Sequence, residues 1–204
     1  MPRTRTRSLA AVLALSAATF ACGTGLTPPP KGVLESARGV TSYSGALRVS
    51  LRGPAVRARA RALVAFERPD RMRIEVPGPD GLRLLAVARD GRLTAAFPAD
   101  RAVFAGEASA ASLEALLGVR LTPAEVMDLL LGAQPPRVRS YKTRWGSALP
   151  ESIVAVLEDG TRLGVDVGEA EAGRPVPAAA FDEPPHEGYR TVDADEARRL
   201  WSAR

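Results

Sequence analysis

From position 56 to position 66 every even residue is apolar: Val56, Ala58, Ala60, Ala62, Val64 and Phe66. The intervening odd positions begin Arg57, Arg59 and Arg61. A two-residue period puts alternate side chains on opposite faces of an extended chain, so Val56 to Glu67 is predicted to be a strand with one face buried and one in water. The same alternation precedes it at Leu47, Val49 and Leu51 and follows it at Met72, Ile74 and Val76, with Arg71, Arg73 and Glu75 opposite. Further strands are expected at Leu82 to Arg89, Leu93 to Phe97, Arg101 to Phe104, Val138 to Trp145, Ile153 to Leu157 and Arg162 to Val167. Asp90-Gly91 and Asp159-Gly160 are tight-hairpin signals.

The period changes in four places. Lys31 to Val40 predicts a first helix, with Val33, Leu34 and Ala37 on one side. Ser109 to Leu117 spaces Leu113, Leu116 and Leu117 for a helix, and Gly118 is its stop signal. Thr122 is an N-cap, with Pro123 at the first helical position and Glu125 three residues after the cap. The helix that follows carries Val126, Met127, Leu129, Leu130 and Leu131, more apolar surface than one stripe, and Gly132 ends it. Asp193 to Ser202 closes the chain as a final helix.

Strands joined by tight turns, with helices confined to one insertion and the termini, predict an α+β fold: a single curved antiparallel sheet of about ten strands. The inward row Val64, Phe66, Met72, Ile74 and Leu84 then forms an apolar concave face, roofed by Leu116, Leu117, Leu129 and Leu130. Those leucines either complete a solid core or cover an acyl-sized pocket. Patterning alone favours the solid core.

The N-terminus changes the picture. Arg3, Arg5 and Arg7 precede an apolar run of 13 residues from Leu9 to Ala21, the plan of an export signal. That run is shorter than the roughly 20 residues a membrane-spanning helix needs. Residues 1–21 are expected to be the signal. Residues 22–32, with Pro28-Pro29-Pro30, form a tether, and residues 33–204 form one folded domain. Three of the 28 basic residues leave with the signal, so 25 face 23 acidic ones and the mature charge is +2. Nucleic acid as a partner loses its support accordingly.

Thr19-Phe20-Ala21-Cys22 resembles a lipobox, in which small residues precede a cysteine that receives a diacylglyceryl group before cleavage. The alternative is ordinary cleavage near Ala21, leaving Cys22 as a free thiol. Cys22 is the single cysteine, so an internal disulfide is excluded, and an unexplained thiol in an exported chain favours lipid attachment. Two acyl chains there give stable anchoring.

Three strings resemble the lipoprotein carrier and receptor clan, LolA and LolB. They are F-E-R-P-D-R-M-R with V-P-G-P-D-G (Phe66 to Arg73, Val76 to Gly81), L-L-G-V-R-L-T-P-A-E-V-M-D-L-L-L-G (Leu116 to Gly132), and F-D-E-P-P-H-E-G-Y-R-T-V-D (Phe181 to Asp193). The resemblance implies a half-open β-barrel whose apolar inner wall accepts acyl chains beneath a helical lid. It also implies that Arg68 tethers the lid by hydrogen bonds, and that lipoproteins and a periplasmic carrier protein are partners. The receptor carries a leucine at an exposed hairpin tip that enters the membrane. Here the matching Pro79-Asp80-Gly81 carries a charge, which is costly to bury in lipid. Leu82 follows, and by strand parity it is expected to point inward. Gly23 after the cysteine, in place of an aspartate that retains lipoproteins at the inner membrane, points to the outer membrane.

Enzymatic chemistry finds no constellation. One histidine, His186 between Pro185 and Glu187, and one cysteine do not supply a metal cluster. The chain has no G-x-S-x-G elbow and no phosphate-cradling glycine loop. No cofactor is expected. The row Arg57, Arg59 and Arg61 suits either a solvated strand face or an approach to anionic head groups. Three readings are left: an acyl-binding lipoprotein, a structural lipoprotein with a filled core and, least favoured for want of a catalytic constellation, a hydrolase of unrecognised type. Cys22→Ala is expected to move the protein from the detergent-extractable membrane fraction to the soluble periplasmic fraction. Retention on the membrane after a high-salt wash would rule out the lipid as anchor.

Overall fold

The computed structural model describes residues 32–54 and 56–202. Helix α1 (Val33–Arg38) leads into six successive strands: β1 (Ser42–Arg52), β2 (Arg57–Glu67), β3 (Arg71–Gly78), β4 (Gly81–Arg89), β5 (Arg92–Phe97) and β6 (Ala102–Glu107). Two helices follow, α2 (Ala110–Leu117) and α3 (Pro123–Leu130). Three more strands, β7 (Val138–Trp145), β8 (Pro150–Leu157) and β9 (Arg162–Ala172), precede a two-residue strand β10 (Arg190–Thr191) and the last helix α4 (Ala194–Ser202).

All ten strands belong to one sheet, in the order β10-β6-β5-β4-β3-β2-β1-β9-β8-β7. Its edges do not meet, so the curved sheet stays open, and the helices make the fold α+β. The expectation of a wholly antiparallel sheet needs one correction: β10 runs parallel to β6. A strand delivered by a hairpin must be antiparallel to its neighbour, but β10 arrives through the long segment after β9, which lies on the far side of the sheet. Asp90 and Gly91 both have positive φ, 51° and 74°, the geometry of a two-residue turn whose twist matches the strands it joins. At the β8–β9 turn only Gly160 does (φ 85°). Its N–H donates to Leu157 O at 3.0 Å while Leu157 N–H donates to Thr161 O at 2.9 Å, making a three-residue loop.

The inner face carries the predicted row. Val64, Phe66, Met72, Ile74 and Leu84 are all buried in the main core together with Leu116, Leu129 and Leu130 of the helices. A smaller cluster sits on the outer face, where Phe181 packs against Leu85 and Val87. Arg73 Nη1 holds that returning segment by donating to Ala180 O at 2.9 Å.

Tyr43 lies deep in the main core, its ring stacked on Phe66 with centroids 5.1 Å apart and planes 9° from parallel. Its hydroxyl is buried with no hydrogen-bond partner among the described residues, and burial pushes its pKa up to about 12. An unsatisfied buried hydroxyl costs stability, whereas the ring contributes by packing. Tyr43→Phe keeps the stack and removes the orphaned group, so it is expected to leave stability unchanged or raise it by about 1 kcal/mol. The urea midpoint checks this, and a fall of that size would show that the hydroxyl has a partner.

Candidate functional site

The α2–α3 segment is fixed locally by its caps. Ser109 Oγ accepts from Ser112 N–H at 3.2 Å at the start of α2. At its end Gly118 turns left-handed (φ 70°), and a Cβ there would lie 2.8 Å from Val56 Cγ2, so the helix and the start of β2 approach as only glycine allows. Thr122 and Glu125 form a reciprocal capping box: Thr122 Oγ1 accepts from Glu125 N–H at 3.2 Å, and Glu125 Oε2 accepts from Thr122 N–H at 2.8 Å. Glu125 is only 7% exposed. Its charge is met by Arg137 Nη1, which donates to the two carboxylate oxygens at 2.9 and 2.8 Å.

On the other side, Arg68 Nη2 in the β2–β3 turn donates to Asp128 Oδ1 of α3 at 2.6 Å. That contact joins sheet to helix. Tyr141 Oη of β7 adds a bond to Leu129 O at 3.3 Å.

Between these helices and the concave face lies a cavity of about 100 Å³. The aliphatic side chains of β1 and β9 form its floor with Ala58, Ala60 and Ala62 of β2 and with Val64 and Ile74. Leu117, Leu129 and Leu130 form its roof, and Trp201 of α4 stands at one side. Apart from the Trp201 indole, no lining side chain carries a hydrogen-bonding group. Three consecutive inward positions of β2 are alanines, and they border the space.

Five of the predicted lining and lid residues, Val64, Ile74, Leu117, Leu129 and Leu130, are on the cavity wall. Phe66, Met72, Leu84 and Leu116 are not: they are fully buried in solid packing. The inner face therefore divides. One end is filled by large side chains, among them Tyr43, Phe66 and Met72, and the end floored by the alanines is open. The alternation Arg-Ala-Arg-Ala-Arg-Ala held the signal for that opening, since small inward residues leave volume. Trp201 gave no such signal, because a closing helix can lie anywhere on the domain.

The hairpin tip also differs from expectation. Asp80 is exposed, as a charged tip should be. Leu82, expected inward, instead packs with the outer cluster of Leu85, Val87 and Phe181. The β3–β4 register explains this: Leu84 pairs with Val76 but Leu82 pairs with Pro77, so Arg83 is an extra residue that reverses the parity. Cys22 lies outside the described residues. His186 sits in a loop with Nδ1 2.7 Å from Pro184 O.

A second recess of about 260 Å³ adjoins the cavity and shares Ala58 and Trp201 with it. Its walls include Arg57, Arg59, Arg83 and Arg198. Arg83 stacks over the Trp201 ring, 5.0 Å from its centroid, and its Nη2 donates to Trp201 O.

No protein-family model matches the chain, and no curated protein sequence does. Among solved structures it is similar to a LolA superfamily protein from Nitrosomonas europaea, with 11% identity and a TM-score of 0.46 over 74% of this chain and 96% of that one. It is also similar to a DUF1329 family protein from Desulfovibrio piger (8% identity, TM-score 0.43, 73% of this chain and 92% of that one). A domain assigned to outer-membrane lipoprotein sorting from Vibrio parahaemolyticus is similar at 6% identity and a TM-score of 0.40, over 74% of this chain and 94% of that one. The open curved sheet beneath helices is the architecture that the sequence resemblance to LolA and LolB implies.

Proposed function

We propose that this chain is an envelope lipoprotein, anchored by lipid on Cys22, whose cavity binds acyl chains of lipids or lipoproteins at the periplasmic face of the outer membrane. In this role it receives such cargo from a periplasmic carrier and aids lipoprotein localisation. One observation carries the reading: a pocket of hydrocarbon side chains floored by alanines and covered by a separate helical segment. An apolar cavity excludes water and favours apolar ligands, and engineered ones of about 150 Å³ take up benzene. The 100 Å³ here suits a short length of chain. A longer one is accommodated by outward movement of α2 and α3, or by extension into the adjoining recess.

A ligand-free structural or interaction role is the second reading. The solid packing around Phe66, Met72 and Leu84 and the charged tip at Asp80 favour it. Ala60→Leu separates the two, because it fills the floor of the cavity without touching the filled end. On the acyl-binding reading the wild-type chain binds a fluorescent fatty-acyl probe and the variant does not, while the variant's urea midpoint rises by the equivalent of about 1 kcal/mol. Absence of probe binding by the wild type would leave the structural role in its place.

A further inference from the structure

The sheet parts where the two recesses meet. Pairing between β2 and β3 begins at Leu63 opposite Glu75, so residues 57–62 of β2 have a partner in β1 but none in β3. The apolar cavity lies behind this split, with Ala58, Ala60 and Ala62 on one side and Ile74 and Val76 on the other. The recess lies in front of it, walled by β2, by Arg83 at the start of β4 and by Arg198 and Trp201 of α4. The two spaces share Ala58 and Trp201, so a basic rim adjoins a hydrocarbon interior.

The charge of the rim is not balanced from within. Arg83 is engaged with Trp201, and the guanidinium groups of Arg57, Arg59 and Arg198 share the recess with two carboxylates, Glu114 and Asp159. Glu114 already faces Arg120 at 3.7 Å. Asp159 accepts from Thr161 N–H at 2.8 Å and from Thr161 Oγ1 at 2.9 Å. Arg57, Arg59 and Arg198 form no ion pair with any described carboxylate. The β1–β2 register sets Arg52 opposite Arg57, a like-charge pair that weakens a sheet. A second, independent observation lies at the junction. Trp201 is 7% exposed, lines both spaces, and its Nε1 is a buried donor with no acceptor among the described residues.

We propose that the recess is an anionic-headgroup site, taking the phosphate of a single amphiphile whose acyl chain enters the cavity through the split between β2 and β3. The inference rests on the acyl-binding reading of the cavity and adds the chemical class of the ligand. Guanidinium forks match phosphate oxygens two at a time. The indole N–H suits an oxygen at the junction of headgroup and chain. A neutral amphiphile offers the indole an ester oxygen but gives the guanidinium groups no anion.

The test measures binding to the purified full chain of a lysophosphatidic acid, of a monoacylglycerol with the same acyl chain, and of glycerol 3-phosphate alone. The phosphate amphiphile is expected to bind roughly tenfold more tightly than the neutral one. That preference is expected to collapse in Arg57→Ala/Arg59→Ala/Arg198→Ala, with binding of the neutral amphiphile unchanged. These arginines are exposed, and the single reversal Arg198→Glu provides an independent check in the same direction. Equal binding of both amphiphiles by the wild type would overturn the headgroup assignment and leave the cavity reading intact. Binding of neither would remove the cavity reading itself. Glycerol 3-phosphate binding as tightly as the amphiphile would mark a site for a free anion and overturn the lipid source.

Discussion

A sheet that is apolar on one face and does not close on itself has to find a cover for that face elsewhere in its own chain. Here the topology supplies it. Strand β6 lies next to one edge of the sheet and β7 forms the other, so the chain between them has to cross the whole width. It crosses over the concave side as α2 and α3, and their leucines bury the surface that the strands expose. The return of β9 to pair with β1 then puts the two halves of the chain side by side in the middle of the sheet. Helix α4, carried in behind β10, packs on α2 and adds Trp201 to the covered space. Most of the arrangement follows from covering one apolar face with one crossing segment.

That solution leaves few polar contacts between the cover and the sheet. The ion pair between Arg68 and Asp128 is partly exposed on both sides, and pairs of that kind contribute about 1 kcal/mol or less. The capping box starts α3 and the Arg137–Glu125 pair ties it to the segment before β7, but neither clamps it onto the alanine floor. The helices are therefore held over the cavity mainly by apolar contact. Leaving about 100 Å³ unpacked beneath them forgoes about 2 kcal/mol of packing at the usual cost per unit of cavity volume. Larger residues at Ala58, Ala60 and Ala62 would recover much of it. Small side chains beneath helices held by apolar contact are what the proposed acyl-binding role requires.

Much of the fold was legible because its strands are half-buried, and half-burial writes itself into a sequence as alternation. The row from Val56 to Phe66, the cap at Thr122 with Glu125, and the Asp90-Gly91 turn are each local signals with one structural meaning. Position-by-position parity failed at Leu82, where one extra residue in the β3–β4 pairing turned the side chain outward, because a bulge belongs to two strands and not to either alone. The candidate site was half legible. Val64, Ile74, Leu117, Leu129 and Leu130 were found because large apolar residues advertise a core. The same reasoning places Phe66, Met72, Leu84 and Leu116 on that wall, yet large residues are what fill a core. The residues that make the space are small, and the strand that parts from its neighbour does so through long-range register, which no local pattern records.

The space beneath α2 and α3 is proposed to hold an acyl chain. Native mass spectrometry of the full chain carrying Cys22→Ala, purified from cells without detergent, decides this. A population heavier than the bare polypeptide by the mass of an acyl-bearing lipid is expected, lost when the protein is denatured. A single species at the polypeptide mass, which stays there after incubation with fatty acid, would contradict it.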